Sequence, residues 1–240
     1  MLLVAEIGLN HEGNFDLAYE LIGQASRAGA DIAKFQFGWR CEPGEINCID
    51  AELAHQLKRW CQWWDIEFMA SVINEQAFEM AVTVDPDRYK IASRTVVEKP
   101  RLVEAVLAEG KETFVSLGWW EEDEFPFGEP TDRLRYIFCR SNYPTYPRQL
   151  RGMPRQFSED GLYGYSDHMH GIEGCLLALS RGAKFIEKHF TLDKTIQGVH
   201  GDHVLSATPR ELRQIAELGR PLSRLADAVD GHRNAPGGVP

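Results

Sequence analysis

Two histidines give the first indication of chemistry in this 240-residue sequence. His168 lies in GYSDHMHG (164–171) and His189 in KFIEKHFT (184–191). In each stretch a short apolar segment runs straight into the imidazole, and an apparent helix separates the two. Neutral imidazoles at the ends of successive strands can share one divalent metal ion, with the open positions left to water or substrate. Such an ion acts as a Lewis acid on a carbonyl. Either histidine alone is more often a hydrogen-bonded structural residue, but two at equivalent heights on neighbouring strands favour the shared ion. His200 and His203, in GVHGDHVLS, rank second as ligands, because a glycine-bearing loop of that kind is more often solvated.

Hydroxyls accumulate at other strand ends. Ser71, Ser93, Ser116, Ser141 and Ser166 follow the middle strands one by one, and Lys90 places a point charge among them. Hydroxyl donors around a lysine suit a cluster of phosphate oxygens, although any one of these serines could simply cap a turn. Glu6 and Lys34 occupy strand positions where an unpaired charge is costly. A mutual ion pair and a substrate role stand as equals for them at this level. Asp202 lies in the loop after the last strand, where binding groups are common. Asn10, His11, Gln36, Tyr143, Asp167 and Lys188 complete the set of strand-end residues.

The elements that must position these groups are legible as alternation. Short apolar runs expected as strands at 2–7, 32–37, 67–71, 88–92, 113–116, 135–139, 161–166 and 185–189 are separated by amphipathic stretches. In DLAYELIGQASRAGA, for example, Leu17, Leu21, Ile22 and Ala25 share one face, and Gly29 supplies a stop. The last helix, PRELRQIAELG, is expected between Pro209 and Gly219. Eight such units most simply close into a (β/α)8 TIM barrel, a single α/β domain over 1–230, followed by a disordered tail at 231–240. After FVSLG, Pro126, Gly128 and Pro130 predict an irregular connection with little helix. In barrels of this kind the strand carboxyl ends and the loops after them build the active site.

Composition narrows the partners. A formal net charge of -10 with no Lys/Arg run argues against nucleic acid, and no apolar run approaches membrane-spanning length. The five cysteines are odd in number and lack CxxC spacing, so neither a disulfide framework nor a zinc ribbon is indicated, and a reduced, cytoplasmic setting is expected.

With the motifs AEIGLNHEGNFDLAYELIGQASRAGADIAKFQ, YKIAS, CRSNYPT, GYSDHMHGIEG and IEKHFT in that order, the sequence resembles the sialic acid synthase family from Val4 to about Leu218. The resemblance implies an enzyme that condenses phosphoenolpyruvate with a sugar aldehyde to give a nonulosonic 2-keto-3-deoxy acid and phosphate. It implies His168 and His189 as ligands of Mn2+ or Mg2+. Ser71, Lys90, Ser93, Ser116, Ser141, Tyr143 and Ser166 fall where the family holds phosphoenolpyruvate. Glu6, Lys34, Gln36 and Asp202 match positions around the reacting aldehyde and the sugar hydroxyls.

The sequence also departs from that family. The run Ser93, Arg94, Thr95 replaces a small residue, Gly and an acidic residue, so Arg94 and Thr95 are expected to bind an acceptor other than plain N-acetylmannosamine, one that is itself anionic. The family's C-terminal antifreeze-like domain is missing from the motif series, which leaves a homo-oligomer or a closing partner subunit as ways to complete the acceptor site. Trp119 and Trp120 are expected either to form a lid or, more commonly for such a pair, to pack on the barrel rim. Two alternatives stay open: a Schiff-base aldolase using Lys34, Lys90 or Lys188, and a non-catalytic or partner-dependent sugar- or phosphate-binding barrel.

Overall fold

The computed structural model of the protein describes residues 1–198 and 201–233. Eight parallel strands close into a barrel in sequence order. They are β1 (Leu2–Glu6), β2 (Ile32–Phe37), β3 (Glu67–Val72), β4 (Arg88–Ile91), β5 (Glu112–Ser116), β6 (Leu134–Cys139), β7 (Leu162–Asp167) and β8 (Phe185–His189). Among the described residues the α-helices are α1 (Phe15–Arg27), α2 (Ala51–Trp63), α3 (Glu75–Val84), α4 (Ser93–Glu98), α5 (Pro100–Ala108), α6 (Glu173–Ser180) and α7 (Pro209–Arg233). The expected strands therefore lie within about a residue of those found. The β5–β6 connection contains no helix, as Pro126, Gly128 and Pro130 imply.

Alternation along the strands sorts side chains into two regions. Outward residues such as Leu3, Phe35, Ala70, Val115 and Ile186 join the helices in the main core. Inward, Val4, Ile32, Met69, Phe114, Ile137 and Phe185 form a separate buried cluster, with the Phe114 and Phe185 rings 4.4 Å apart. This layer plugs the amino-terminal half of the barrel. Two residues further along β1, β2, β3, β5, β6 and β8, the next inward positions are Glu6, Lys34, Ser71, Ser116, Cys139 and Glu187. The plug therefore becomes the apolar floor of a polar chamber at the carboxyl ends.

Two expectations need correction. Helix α7 does not stop at Gly219 but runs through it and through Pro221 to Arg233, three residues into the stretch expected to be disordered. Residues 234–240 lie outside the described set. Gly219 is buried where α7 crosses α6: a Cβ there would lie 2.5 Å from Leu179 Cδ1, so the glycine permits close packing and does not end the helix. Leu212, Ile215, Ala216 and Ser223 continue the same buried face. Second, Cys41 and Cys48 are joined as a disulfide, their Cα atoms 4.6 Å apart in the β2–α2 loop. Spacing alone does not reveal such a local closure, because it depends on how the loop turns back. Cys61, Cys139 and Cys175 are free and buried. A short helix, α4, begins at Ser93 directly after β4, so Ser93, Arg94 and Thr95 lie on its first turn. Among the described residues no helix is long and apolar enough to cross a membrane.

Candidate active site

A cavity of about 430 Å³ opens at the carboxyl ends of the strands. It is lined by Glu6, Lys34, Gln36, Ser71, Lys90, Ser93, Arg94, Thr95, Ser116, Ser141, Tyr143, Ser166, His168, His189 and Asp202. Residues from all eight strands and the loops after them thus converge on one chamber.

Four charges occupy its base. Lys34 Nζ lies 2.9 Å from Glu6 Oε2 and 3.0 Å from Glu187 Oε2. Burial would lower the Lys34 pKa, but the two carboxylates outweigh it and hold the ammonium above its ordinary range. Burial likewise pushes Glu187 up, yet Lys34, Lys90 and the 2.7 Å hydrogen bond donated by Ser166 bring its pKa down to about 2. Lys90 differs. Burial lowers its pKa, the nearest carboxylate oxygen, on Glu187, is 3.9 Å away, and Lys34 adds repulsion. Its Nζ donates to Ser116 Oγ at 2.6 Å and to the Ile91 carbonyl at 3.1 Å. Lys90 is therefore a cation whose charge is only partly compensated, as an anion-binding group should be.

Beside it is a small cradle. The Gly118 N–H donates to Ser93 Oγ at 2.9 Å, and Ser93 Oγ lies 3.1 Å from Cys139 Sγ. A Cβ on Gly118 would come within 2.5 Å of Cys139 Sγ and 2.6 Å of Ser141 Oγ. Only glycine leaves room among these three polar side chains. Gly8 plays a similar part on the opposite wall. Its φ of +52° and the 2.9 Å that a Cβ would leave to Glu6 Oε1 keep that carboxylate free to accept from Gln36 Nε2 at 2.7 Å.

The histidines form the third group, with ring centroids 5.5 Å apart. His168 Nδ1 lies 2.7 Å from the Arg140 carbonyl, which can only accept, so Nδ1 is the donor and Nε2 keeps its lone pair. Burial, followed by repulsion from His189, drops the His168 pKa to about 3, so the ring is neutral at physiological pH. His189 Nδ1 lies 3.6 Å from Asp202 Oδ2. The Tyr143 ring covers both imidazoles, at 4.2 Å from His168 and 6.0 Å from His189. A neutral His168 ring fixed by its hydrogen bond to Arg140, with a second imidazole beside it, is the kind of donor set a divalent ion uses. Among the described residues no group of three or more metal-ligating side chains assembles. An ion here would rest on His168 and His189, with Asp202 beside them and its other positions open.

Some residues singled out in the sequence lie elsewhere. Lys188 and Asp167 point outward and pair with each other at 3.1 Å, both fully buried. Strand parity explains this: if His189 and Ser166 face inward, their neighbours cannot. His11 packs against Phe15 and Phe35. Asn10 acts as a strut, accepting from the Asp202 N–H at 2.8 Å and donating to the Phe190 carbonyl and Ser206 Oγ. His203 is buried against Thr191 and Glu12, and His200 lies outside the described residues. The tryptophans divide: Trp119 lines the cavity, whereas Trp120 packs against the core and donates to the Glu124 carbonyl. Glu187, Cys139, Trp39 and Arg40 also line the chamber and are not singled out by the sequence reading. Parity with His189 is a signal for Glu187, but nothing in a loop's periodicity places Trp39 or Arg40.

Fold and site together define a (β/α)8 barrel protein with a charged, partly closed chamber suited to a small polyanion. The chain belongs to the NeuB family, whose model matches residues 45–229. It is 30% identical to the N-acetylneuraminate-9-phosphate synthase of Homo sapiens, over 92% of this chain and 70% of that one. It is 29% identical to the N,N'-diacetyllegionaminic acid synthase of Legionella pneumophila, over 90% of this chain and 70% of that one. A crystal structure of the N-acetylneuraminic acid (sialic acid) synthetase from Leptospira borgpetersenii, in complex with citrate, superimposes with a TM-score of 0.82 at 26% identity, covering 100% of this chain and 87% of that one. The protein is thus similar to synthases of sialic acid and related nonulosonic acids.

Proposed function

We propose that the protein condenses phosphoenolpyruvate with a sugar aldehyde, releasing phosphate and a 2-keto-3-deoxy nonulosonic acid. The observation that supports this best is the joining, in one 430 Å³ chamber, of Lys90 with its hydroxyl cradle and the histidine pair His168 and His189. The first arrangement suits a phosphorylated carboxylate, and the second suits a carbonyl acceptor held through a divalent cation.

Lys90, Ser116, Ser93, Ser141 and the Gly118 cradle would hold the donor, with Ser71 and Ser166 lining the same chamber. A Mn2+ or Mg2+ ion bound by His168 and His189 would supply Lewis-acid polarisation of the aldehyde. The enol carbon of the donor attacks the aldehyde carbon, and a C–C bond forms as positive charge develops at the phosphate-bearing carbon. Glu6, anchored between Lys34 and Gln36, faces this chamber as an ionic group that can steady the cation or take a proton from the water that captures it. The resulting tetrahedral centre expels phosphate and leaves the ketone. Asp202 and Gln36 would meet hydroxyls of the acceptor, and Arg94 and Thr95 its far end.

Lys90, the cavity lysine with a lowered pKa, would also be the most suitable nucleophile for a Schiff-base aldolase, so trapping must be part of the test. Incubation with phosphoenolpyruvate, manganese and an acceptor should release phosphate without a borohydride-trapped adduct. Adduct formation with a ketoacid, together with activity that survives chelation, would replace this proposal with the aldolase.

A further inference from the structure

Trp39, Arg94 and Trp119 meet at the rim of the chamber from three separate elements: the loop after β2, the first turn of α4 and the loop after β5. The Arg94 guanidinium carbon lies 5.6 Å from the Trp39 ring centroid and 5.1 Å from that of Trp119. Its Nε lies 3.1 Å from Glu98 Oε1, one helical turn further on. These contacts place the guanidinium carbon over two indole rings and its Nε edge against a carboxylate. Among the described residues no oxygen is hydrogen-bonded to its two terminal nitrogens, and the residue lines the cavity. The donors that bind a carboxylate or phosphate through two parallel hydrogen bonds are therefore unoccupied.

Deeper cations are committed differently. Lys34 is shared between Glu6 and Glu187, and Lys90 faces Ser116. Arg40, adjacent to Trp39, adds a second positive charge at the rim and makes a 3.9 Å contact with Glu45. A guanidinium restrained by two indoles and a carboxylate loses less rotamer freedom when it binds, which makes it more selective than a mobile surface arginine.

We infer that Trp39, Arg94 and Trp119 form an anion clamp, and that the acceptor carries a carboxylate or phosphate at the end remote from its aldehyde. The inference rests on the synthase reading of the chamber and deepens it. Arg94 is the specificity-determining residue, and the two tryptophans are positioning residues that act through it.

The test uses the full chain with manganese and saturating phosphoenolpyruvate. Phosphate release is compared for N-acetylmannosamine, its 6-phosphate and a hexuronate aldehyde, so that the phosphate and carboxylate arms are separate. Calorimetry gives the Kd of phosphoenolpyruvate in each variant. One of the anionic acceptors should exceed the neutral sugar in kcat/KM by about tenfold or more. Arg94→Ala should raise KM for that acceptor about 10- to 100-fold, the effect of losing a charge-assisted hydrogen-bond pair, with kcat and the phosphoenolpyruvate Kd little changed. Arg94→Lys should recover part of the loss. Trp39→Ala and Trp119→Ala should each cost about two- to fivefold in KM, and this effect should vanish in an Arg94→Ala background. Preference for the neutral sugar, or an Arg94→Ala effect equal for neutral and anionic acceptors, would overturn the clamp while leaving the synthase intact. Failure of phosphoenolpyruvate to bind or react with any acceptor would overturn the synthase reading and the clamp with it.

Discussion

Replacing Glu187 with glutamine removes one charge from the base of the chamber without removing volume. Its Oε2 lies 3.0 Å from Lys34 Nζ and its Oε1 3.9 Å from Lys90 Nζ, and Ser166 donates to it at 2.7 Å. The amide keeps an acceptor for Ser166 but leaves Lys90 without its nearest carboxylate and Lys34 with Glu6 alone. Breaking a buried ion pair from one side costs about 3–5 kcal/mol. For a chain of this length that is a fall in Tm of about 10 °C. A second consequence is specific to this geometry. Glu187 is the largest influence sustaining the charge of Lys90, whose pKa is already lowered by burial. In Glu187→Gln the lysine should release its proton nearer neutrality, and binding of phosphoenolpyruvate should draw that proton back. Calorimetric titrations at pH 8 in buffers of different ionisation enthalpy would show greater proton uptake by the variant than by the wild type. A Tm within about 2 °C of the wild type, with identical proton uptake, would refute the view that Glu187 couples the two lysines.

Three further substitutions separate donor site, scaffold and pH response. Gly118→Ala should fill the cradle between Cys139, Ser141 and Ser93 and weaken phosphoenolpyruvate binding at least tenfold with little change in Tm, as calorimetry and thermal melts would show. Lys188→Met leaves Asp167 as an uncompensated buried charge and should destabilise the protein by about 3–5 kcal/mol in urea titrations, while any folded fraction binds phosphoenolpyruvate normally. His11 is buried, and burial lowers its pKa from 6.5 to about 4. Above pH 6.5 neither the folded nor the unfolded state is protonated there; below it the unfolded chain binds a proton that the folded chain refuses until about pH 4. Stability should therefore fall across this window, by about 3 kcal/mol in total for this residue. The urea midpoint of His11→Gln should change less between pH 7 and pH 4.5 than that of the wild type; parallel profiles would contradict the assignment.

The barrel was legible because parallel strands covered on both sides leave short apolar runs at regular intervals, and all eight lie where such runs occur. Chamber residues could be found in the same way, since inward positions such as Glu6, Lys34, Ser71, Ser116 and Ser166 coincide with the polar ends of those runs. What stayed hidden depended on three-dimensional sense. Lys188 and Glu187 are adjacent in sequence, and once His189 is known to face inward, strand parity sends the glutamate into the chamber and the lysine outside it to meet Asp167. The disulfide between Cys41 and Cys48, the place of Trp39 above Arg94 and the inward approach of Gly118 all depend on loop paths that carry no periodicity. Gly219 shows the converse error, a residue with the chemistry of a helix stop used to let two helices approach.

The most direct test of the central claim is phosphate release from phosphoenolpyruvate with manganese across neutral and anionic sugar aldehydes, alongside a chelated control and a His168→Ala variant. Release should require an acceptor and be abolished both by chelation and by the substitution, with a 2-keto-3-deoxy acid formed in equal amount. Release that proceeds without an acceptor, or that persists undiminished in His168→Ala, would contradict the claim.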